Sequence, residues 1–379
     1  MSQSQTVILV GAGHAHLHVI SRAEALIARG ARLVLIDSGV FWYSGMATGM
    51  LGGMYDAPKD QVDSRALAEA YGVEFIQDQV EMVESGARRV RLAGGGELTY
   101  DYLSLNVGSR VNATNIAGAA NDPSIWPVKP IENLWKLREY LEGRFRAGET
   151  LRLAVVGGGP TGCEVAANLT ALAMRHRTKL SLSLITSSAA LIAQAPPGAS
   201  RALQRKLSRR GVKILPCTRI FVREKGSLIA DNGRRVPADV VVVATGLEAN
   251  PLVDEMGLPT RAGKGLRVNS KLHSIADQRI FAGGDCACME GFDLPKLGVF
   301  GVRQGVVIHA NLLSSLERKP LSNYYPQKRY LAILNLGDGT ALATWGPFWW
   351  NRRFGMRLKD WIDCRFLERY RKDAVNIQA

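Results

Sequence analysis

Two short apolar runs near the N-terminus frame a loop that contains two glycines. The first run is "TVILV", residues 6–10, and the second is "ARLVLIDS", which reaches Asp37. Such runs predict buried strands of a parallel sheet, and the segment between them favours a helix. This β-α-β pattern is typical of units that bind dinucleotides. Gly11 and Gly13 would allow the turn and the approach of a pyrophosphate, and Asp37 would bind a ribose.

The same pattern recurs in "LRLAVVGGGPTGCEVAANLTALA", residues 151–173. Its glycines are Gly157, Gly159 and Gly162, and Gly157 follows Gly11 by 146 residues. Two dinucleotide-binding units in one chain indicate two nucleotides, and the commonest pair is a flavin and a nicotinamide.

Three histidines lie in the first unit, at positions 14, 16 and 18. His14 and His18 are four residues apart, which is a spacing that can bind a metal on a helix. No further ligand follows at a useful distance, so we predict no metal site. His16 occupies the place of the third glycine of the motif. We expect His14 to contact the cofactor, and His16 and His18 to pack.

Each unit is followed by a similar segment, residues 80–106 and 219–246, which predicts a small hairpin region and then an apolar strand ending at glycine. After residue 318 the sequence "YYPQKRYLAILNLGDGTALATWG" predicts a hairpin with its turn at "GDG". The fold class predicted is α/β, with two Rossmann-like dinucleotide-binding domains and a small C-terminal α+β region.

Composition narrows the classes of function. The chain has 379 residues, 48 Lys and Arg against 34 Asp and Glu, and therefore a net charge of +14. This excess suits nucleic acid, an anionic membrane or a solvated surface, but no nucleic-acid motif is present, so we expect no nucleic acid partner. Five irregularly spaced cysteines fit a reducing cytosol. No signal peptide and no run of 18 apolar residues is recognised.

Six motifs in chain order carry a resemblance: "VGAGHAH", "YSGM", "GGGPTGCE", "VVVATG", "FAGGDCA" and "LPKLGVFGVRQG". From residue 5 to 318 the chain resembles the pyridine nucleotide-disulfide oxidoreductase superfamily of FAD and NAD(P) enzymes. Within it, the chain is most similar to type-II NADH:quinone dehydrogenases and to the dehydrogenase-like domain found ahead of selenide, water dikinase. "YSGMATGMLGGMY" and "RLKDWIDCRFLERY" carry the narrower likeness.

The resemblance implies a discontinuous FAD-binding domain, residues 1–122 and 248–318, around an NAD(P)-binding domain, residues 123–247. Residues 319–379 would form the C-terminal hairpin and an amphipathic helix. Hydride would pass from NAD(P)H to FAD, with Asp285 on the ribityl chain and Lys296 near the negative charge of the reduced flavin. Glu164 would position the nicotinamide or relay a proton. Lys296 as a surface lysine and Glu164 as a helix-terminal acid remain the alternatives.

The other expected site residues are Lys129 at the flavin edge, and, around the cofactors, His14, Ser44, Gly45, Pro160, Thr161, Thr186 and Gly246. The second strand of the nicotinamide unit ends in Thr186–Ser188 rather than in an acid, which leaves the choice between NADH and NADPH open.

Three functions remain in competition. The first is reduction of a membrane quinone by NAD(P)H. The second is action on a sulfur or selenium species, as in sulfide:quinone oxidoreductases, for which Cys163 and Cys364 could be recruited. The third is a flavin-binding regulatory protein. No C-x4-C or C-x-x-C pair is present, and Cys286 and Cys288 form a C-x-C, which is strained as a disulfide.

The C-terminal segment combines aromatic and basic residues. Its apolar positions keep helical spacing from Trp350 to Tyr370, and residues 348–373 contain eight Lys or Arg and four Asp or Glu. This pattern predicts a helix that lies on an anionic membrane, which implies a peripheral position on the inner, cytoplasmic face of the cell membrane. The alternative is a helix packed on the protein body or in a homodimer.

Overall fold

The computed structural model describes residues 4–375, with side chains described as far as residue 371. The first part of the chain forms strands β1 (Thr6–Val10), β2 (Arg32–Asp37), β3 (Val40–Trp42), β4 (Gln61–Asp63), β5 (Glu74–Gln77), β6 (Val80–Glu84), β7 (Arg89–Leu92), β8 (Glu97–Thr99), β9 (Tyr102–Leu105) and β10 (Ser109–Val111), and helices α1 (His14–Ile20), α2 (Glu24–Ile27), α3 (Ala47–Leu51) and α4 (Ser64–Ala70).

The middle part forms strands β11 (Ile125–Pro127), β12 (Leu151–Val156), β13 (Leu180–Ile185), β14 (Lys213–Leu215), β15 (Ile220–Glu224), β16 (Ser227–Ala230), β17 (Arg235–Pro237), β18 (Val240–Val243) and β19 (Leu247–Ala249), and helices α5 (Glu132–Arg146), α6 (Pro160–Arg175) and α7 (Pro197–Arg209). The last part forms β20 (Thr260–Arg261), β21 (Gly265–Val268), β22 (Ile280–Ala282), β23 (Ala287–Met289), β24 (Leu331–Asn335), β25 (Ala341–Trp345) and β26 (Phe348–Arg352), with helices α8 (Gly298–Leu316) and α9 (Arg353–Val375).

Two parallel five-stranded sheets organise these elements, and four strands of each follow the same chain order, whereas the outer strand comes last in the first sheet and first in the second. The first has the order β22-β9-β1-β2-β5, and the second has the order β11-β18-β12-β13-β14. In each sheet the strand before the glycine loop is central, and its side chains are buried on both sides because helices cover the sheet. The predicted α/β class with two Rossmann-like units is therefore confirmed. The first sheet is completed by β22, which lies more than 170 residues after β9.

Each parallel sheet has a small antiparallel sheet beside it. Strands β6-β7-β8 form the first and β15-β16-β17 form the second, as the repeated hairpin segments predict. The two even share an irregularity, since the register shifts between Val80 and Met82 and again between Ile220 and Val222. The chain is thus built from a duplicated arrangement of strands.

The C-terminal region differs in one respect from the prediction. The hairpin of β24 and β25 is present, but β26 adds a third antiparallel strand. Trp350, predicted to begin the helix, lies in β26, and α9 begins at Arg353. The prediction was wrong there because one aromatic position fits both a strand and a helix. The last four residues of the predicted segment lie outside the described residues. None of the described helices is long and apolar enough to cross a membrane.

Candidate functional site

The first glycine loop is held by an asparagine that the sequence patterns do not single out. Gly11 has a φ of +80°, which favours glycine. Asn106, at the end of β9, accepts through Oδ1 a hydrogen bond of 2.9 Å from the Ala15 amide and donates through Nδ2 to Gly283 O at 2.6 Å. A Cβ at Gly13 would lie 2.4 Å from Asn106 Oδ1. Gly13 is therefore required for α1 to approach β9.

His16 replaces the missing third glycine by hydrogen bonding. Its Nδ1 lies 2.6 Å from Gly11 O and its Nε2 lies 2.8 Å from Ser104 Oγ. The ring is fully buried, and burial lowers the pKa of His16 to about 4, so it is neutral at physiological pH. In the second unit, by contrast, a Cβ at Gly162 would lie only 1.8 Å from Gly157 O. The prediction that His16 packs is consistent with this geometry.

Asp37 lies at the end of β2 beside the first glycine loop. Its Oδ1 accepts from the Ala12 amide and its Oδ2 from the Gly39 amide, both at 2.9 Å. The side chain is half-buried at the end of β2. Each carboxylate oxygen retains a free lone pair, which suits the hydroxyl groups of a ribose.

A charged cluster surrounds Asp285 in the 3-10 turn Gly284–Cys286. Its Oδ2 accepts from Lys129 Nζ at 2.7 Å and from Ser109 Oγ at 2.6 Å. Burial alone would raise the pKa of the Asp285 carboxyl, but Lys129 and Ser109 outweigh burial and hold that pKa below its usual range. Lys296 precedes α8 and donates to the Asp285 carbonyl oxygen and, at 2.8 Å, to Lys264 O. Asp285, Lys129 and Lys296 are therefore brought together.

His14, at the start of α1, lies among aromatic rings. Its ring centroid is 5.0 Å from that of Phe41 and 5.6 Å from those of Tyr43 and Phe366. Phe366 belongs to α9, so the C-terminal helix reaches the first glycine loop. Burial lowers the pKa of His14 to about 4, and Lys129 also lowers it while Asp285 opposes this. The His14 imidazole is therefore neutral at physiological pH and packs among these rings at the start of α1.

The second glycine loop leaves open space where the first is filled by protein. Gly157 has a φ of +130°, and a Cβ there would lie 2.3 Å from Ala244 O. At Gly159 and Gly246, however, no protein atom lies within 4 Å of an added Cβ. Packing therefore does not require glycine at position 159, and the open space in front of α6 is of the kind that a dinucleotide needs. Pro160 and Thr161 begin α6 and are exposed beside this space.

Thr186 lies against the same loop but is buried. A Cβ at Gly158 would lie 2.5 Å from Thr186 Oγ1, and this hydroxyl accepts from the Ser188 amide at 3.2 Å. Ser187 and Ser188 are exposed at the mouth of the loop. The hydroxyls available to a nucleotide at this edge are thus those of Ser187 and Ser188.

Glu164 connects three parts of the molecule. It lies on α6, and its Oε1 accepts from the Asn335 amide of the C-terminal sheet at 2.6 Å and from Thr48 Oγ1 of α3 at 3.4 Å. Burial raises the pKa of Glu164 to about 7, against the opposing effects of Lys359 and the Asn335 amide. Hence this carboxyl group can gain or lose a proton at physiological pH.

Helix α9 docks on the body through a buried ion pair that the sequence patterns missed. Lys359 Nζ donates to Asp363 Oδ2 at 2.8 Å and to Gly45 O at 2.7 Å, and Tyr43 Oη donates to Asp363 Oδ1 at 2.9 Å. Tyr43, Ser44 and Gly45 form the loop expected to surround the flavin. The inner side of α9 therefore contacts this loop through polar groups. The spacing of hydrophobic residues in the sequence does not reveal such contacts.

The predicted apolar stripe of the tail is divided between two sides. Tyr370 is buried and Phe366 is half-buried, whereas Phe354, Trp361 and Ile362 are exposed. The helix therefore packs on the protein body and still presents aromatic residues to solvent. Contact with a membrane or with a second copy remains a matter for proposal.

The described residues contain neither a disulfide nor a cluster of possible metal ligands. All five cysteines are free, and burial raises the pKa of Cys163 to about 12 and that of Cys286 to about 11. Within residues 4–375, no group of three or more His, Cys, Asp or Glu side chains could hold a metal ion.

Two dinucleotide-binding units that share the order of four strands, with an acidic turn in the first and a half-buried glutamate in the second, define a class of two-nucleotide oxidoreductases. Residues 5–305 match the family described as pyridine nucleotide-disulphide oxidoreductase, and the chain belongs to this family. It is an FAD-dependent oxidoreductase that binds FAD and NAD(P)H.

Relatives and structural neighbours agree with this assignment. A type II NADH:quinone oxidoreductase of Haemophilus influenzae is 24% identical over 90% of this chain and 87% of its own length. The demethylphylloquinone reductase NdbB of Synechocystis is 28% identical, over 74% of this chain and 70% of its own. The sulfide:quinone oxidoreductase of Aquifex aeolicus has a similar fold, with a TM-score of 0.83, 16% identity, and coverage of 98% of this chain and 92% of its own. NDH2 of Plasmodium falciparum, solved with NADH, also reaches 0.83, at 15% identity and 99% and 97% coverage.

Proposed function

We propose that this enzyme oxidises NADH or NADPH and passes two electrons through FAD to a quinone. Two relatives that match most of the chain are named for quinone reduction. The observation on which the proposal mainly rests is Glu164, a carboxyl group of pKa about 7 held where the nicotinamide unit meets α3 and the C-terminal sheet. Reduction of a quinone consumes protons, and this group can supply one.

FAD, when bound, accepts a hydride and gives up electrons in turn. We propose that residues 1–122 and 248–318 hold it and that residues 123–247 hold NAD(P)H. Gly11, Gly13 and Asp37 would bind the pyrophosphate and the adenosine ribose of FAD. Asp285 would bind the ribityl chain, as an ionised acceptor kept in place by Lys129 and Ser109.

The cations of the Asp285 cluster have a second role in this proposal. Lys129 and Lys296 place two positive charges beside one carboxylate, so an excess of positive charge remains for the reduced flavin. His14 is neutral and adds no charge, so it would shape the wall through its ring. Ser44 and Gly45 would line the same wall, held through the Lys359 contact to Gly45 O.

The proton would be carried by Glu164 Oε2. Its Oε1 is occupied by the Asn335 amide and by Thr48, which leaves Oε2 for a proton. A donor with a pKa close to the working pH is the most effective general acid. Gly157, Gly159, Pro160, Thr161 and Gly246 would place the nicotinamide nearby, on the open side of α6, with Thr186 supporting the loop from behind.

A sulfur acceptor or donor is the second candidate. The resemblance in fold to a sulfide:quinone oxidoreductase covers 98% of the chain. Sulfur chemistry at a flavin requires reactive thiolates, however, and burial raises the pKa of both Cys163 and Cys286 far above neutrality. The pKa of Cys364 is also raised, by burial and by Asp360. The raised pKa values of these thiols therefore favour the NAD(P)H:quinone proposal over the sulfur proposal.

The membrane supplies the quinone in this proposal. Exposed aromatic residues of the tail, among them Phe354 and Trp361, lie beside exposed arginines, which is the composition of a surface that binds anionic lipid. We propose that the enzyme docks on the cytoplasmic face of the cell membrane through this segment. A homodimer formed by the same surface is the competing proposal.

The test uses purified protein loaded with FAD. Steady-state turnover is measured with NADH or NADPH as the electron donor and with ubiquinone, menaquinone or phylloquinone analogues as the acceptor. The same acceptors are then tested with sulfide as the electron donor in place of the nicotinamide. Rapid NAD(P)H-dependent quinone reduction supports the proposal. Flavin reduction by sulfide but not by NAD(P)H would replace it with the second candidate, and negligible turnover with every pair would leave a flavin-binding regulatory protein.

A further inference from the structure

Helix α7 of the nicotinamide unit carries a row of unpaired arginines. Arg201, Arg205 and Arg209 are exposed and four residues apart, so they lie along one side of the helix. With Gln204 and Ser208 they line an open groove on the surface. Helix α7 contains no acidic residue, and within residues 4–371 none of the three arginines forms a salt bridge. We call these three residues the arginine row.

The arginine row is continuous with the aromatic C-terminal sheet. A Cβ at Gly198, in the first turn of α7, would lie 2.7 Å from Trp349 Nε1. Gly198 is three residues before Arg201, so Trp349 covers the start of the same helical side. The neighbouring flank of α7 is fixed to the hairpin, since Lys206 Nζ lies 2.7 Å from Asp338 Oδ2. The row therefore has a defined position beside β26.

Large aromatic side chains are exposed along β26 and along α9, the helix that follows it directly. Phe348 at the tip of the sheet is 62% exposed, Phe354 at the start of α9 is 67% exposed, and Trp361 is 58% exposed. The guanidinium carbon of Arg365 lies 5.2 Å from the centroid of the Trp361 ring and covers part of it. Aromatic residues with this much exposure are unfavourable in water, and in combination with arginines they suit the boundary between lipid headgroups and acyl chains.

We propose that the arginine row and the exposed aromatic residues of β26 and α9 form one docking surface for an anionic lipid bilayer. The proposal rests on the membrane contact proposed above and extends that contact from the tail to the nicotinamide unit. The guanidinium groups bind lipid phosphates, for which their planar donor arrangement is suited. The aromatic rings enter the interface between them.

A second copy of the chain fits this surface less well. A two-fold interface uses the same patch on both partners, so it would bring two arginine rows into one contact and concentrate positive charge there. Helix α7 offers no acid to compensate, and the whole chain carries a net charge of +14. An anionic bilayer supplies the missing negative charge.

The test is co-sedimentation of the FAD-loaded enzyme with vesicles of phosphatidylcholine alone and of phosphatidylcholine with 30% phosphatidylglycerol. The variant R201Q/R205Q/R209Q is compared with the control K225Q/R219Q/R234Q, which removes the same charge from exposed positions on the β15–β17 side of the same unit. Each basic side chain near an anionic surface contributes about five-fold, so the row variant should bind about 100-fold more weakly. The control should bind like the wild type.

Several results would overturn the proposal. Equal losses in the two triple variants would mean that only net charge matters, and unchanged binding of the row variant would remove α7 from the surface. Dissociation of a dimer by the row substitutions, measured by light scattering without vesicles, would make the patch a subunit interface. Turnover with a water-soluble quinone is measured in parallel. If it persists while no form binds vesicles, docking fails and the proposed reaction stands.

Discussion

Glu164 is the residue on which the proposed chemistry depends most. A carboxyl group with a pKa of about 7 is protonated below that pH and ionised above it. If it donates the proton to the quinone, turnover falls as pH rises through about 7. Glu164→Gln should lower kcat with quinone by about 100-fold, which is the lower range for general acid catalysis, and should abolish this limb of the pH profile.

The control is Glu139→Gln, an exposed glutamate of α5. It should leave both the rate and the profile unchanged. Both variants should retain flavin, measured by absorbance, because Glu164 lies on the nicotinamide side of the site. A Glu164→Gln enzyme with the wild-type pH profile would exclude Glu164 as the proton donor.

Asp60 is a buried acid with an unusual state of protonation. It is fully buried, and within the described chain neither carboxyl oxygen has a hydrogen-bond partner. Burial and Asp363 raise its pKa from 3.8 to about 8, against Lys359 and Arg371. The folded state therefore holds the proton more tightly than the unfolded state. The stability contributed by the neutral acid is complete below about pH 4 and is lost as pH rises towards 8.

Asp60→Asn cannot ionise, so its stability should depend less on pH. Its free energy of unfolding relative to the wild type should increase by about 4 kcal/mol between pH 5 and pH 8.5, because about three pH units below the folded pKa each contribute about 1.4 kcal/mol. Urea unfolding at both pH values measures this difference. Asp254→Asn, at an exposed position, is the control. A constant difference between Asp60→Asn and wild type would show that Asp60 is already ionised at pH 5.

At the scale of an element, α9 is held by Lys359 and Asp363. Lys359→Met should destabilise the protein by about 3–5 kcal/mol, because it leaves the buried Asp363 carboxylate without its cation. The double variant K359M/D363N removes the charge as well, and should recover part of this loss. The midpoints of urea unfolding of the single and the double variant measure these two changes in stability. A double variant less stable than Lys359→Met alone would contradict the pairing.

We expect the loop after β13 to govern the choice between NADH and NADPH. Ser187 and Ser188 are exposed there and carry no charge, so we expect the wild-type kcat/KM values for NADH and NADPH to differ by less than about 100-fold. Ser187→Glu should lower the value for NADPH, because its carboxylate repels the 2′-phosphate. Ser181→Glu, at the other end of β13, should not. Equal effects of the two substitutions would place the phosphate elsewhere.

At the scale of the whole molecule, local patterns predict the architecture well. Apolar runs and glycine spacing identify β1, β12 and their loops, because backbone conformation at these positions depends on neighbouring residues. The repeated hairpin segments identify the duplication. Gly13 shows the limit, since the pattern assigns it to the pyrophosphate whereas the structure also requires it for contact with Asn106.

Contacts between distant segments could not be predicted. Asn106, Lys359 and Asp363 are polar residues whose importance comes from burial against partners more than 90 residues away in the sequence. Strand β26 was missed because Trp350 fits both periodicities. The division of the tail helix was also missed. By their spacing in the sequence its apolar residues form one stripe, whereas in the structure some of them pack on the protein body and others remain exposed.

The central claim is that electrons pass from NAD(P)H through FAD to a quinone. Anaerobic stopped-flow absorbance at the flavin band measures both halves in one experiment. NADH or NADPH is first mixed with the flavin-loaded enzyme, and a short-chain quinone is then added to the reduced enzyme. We expect the nicotinamide to bleach the flavin and the quinone to restore its absorbance, each at least as fast as steady-state turnover. A flavin that NAD(P)H bleaches but that no quinone reoxidises would rule out a quinone as the electron acceptor.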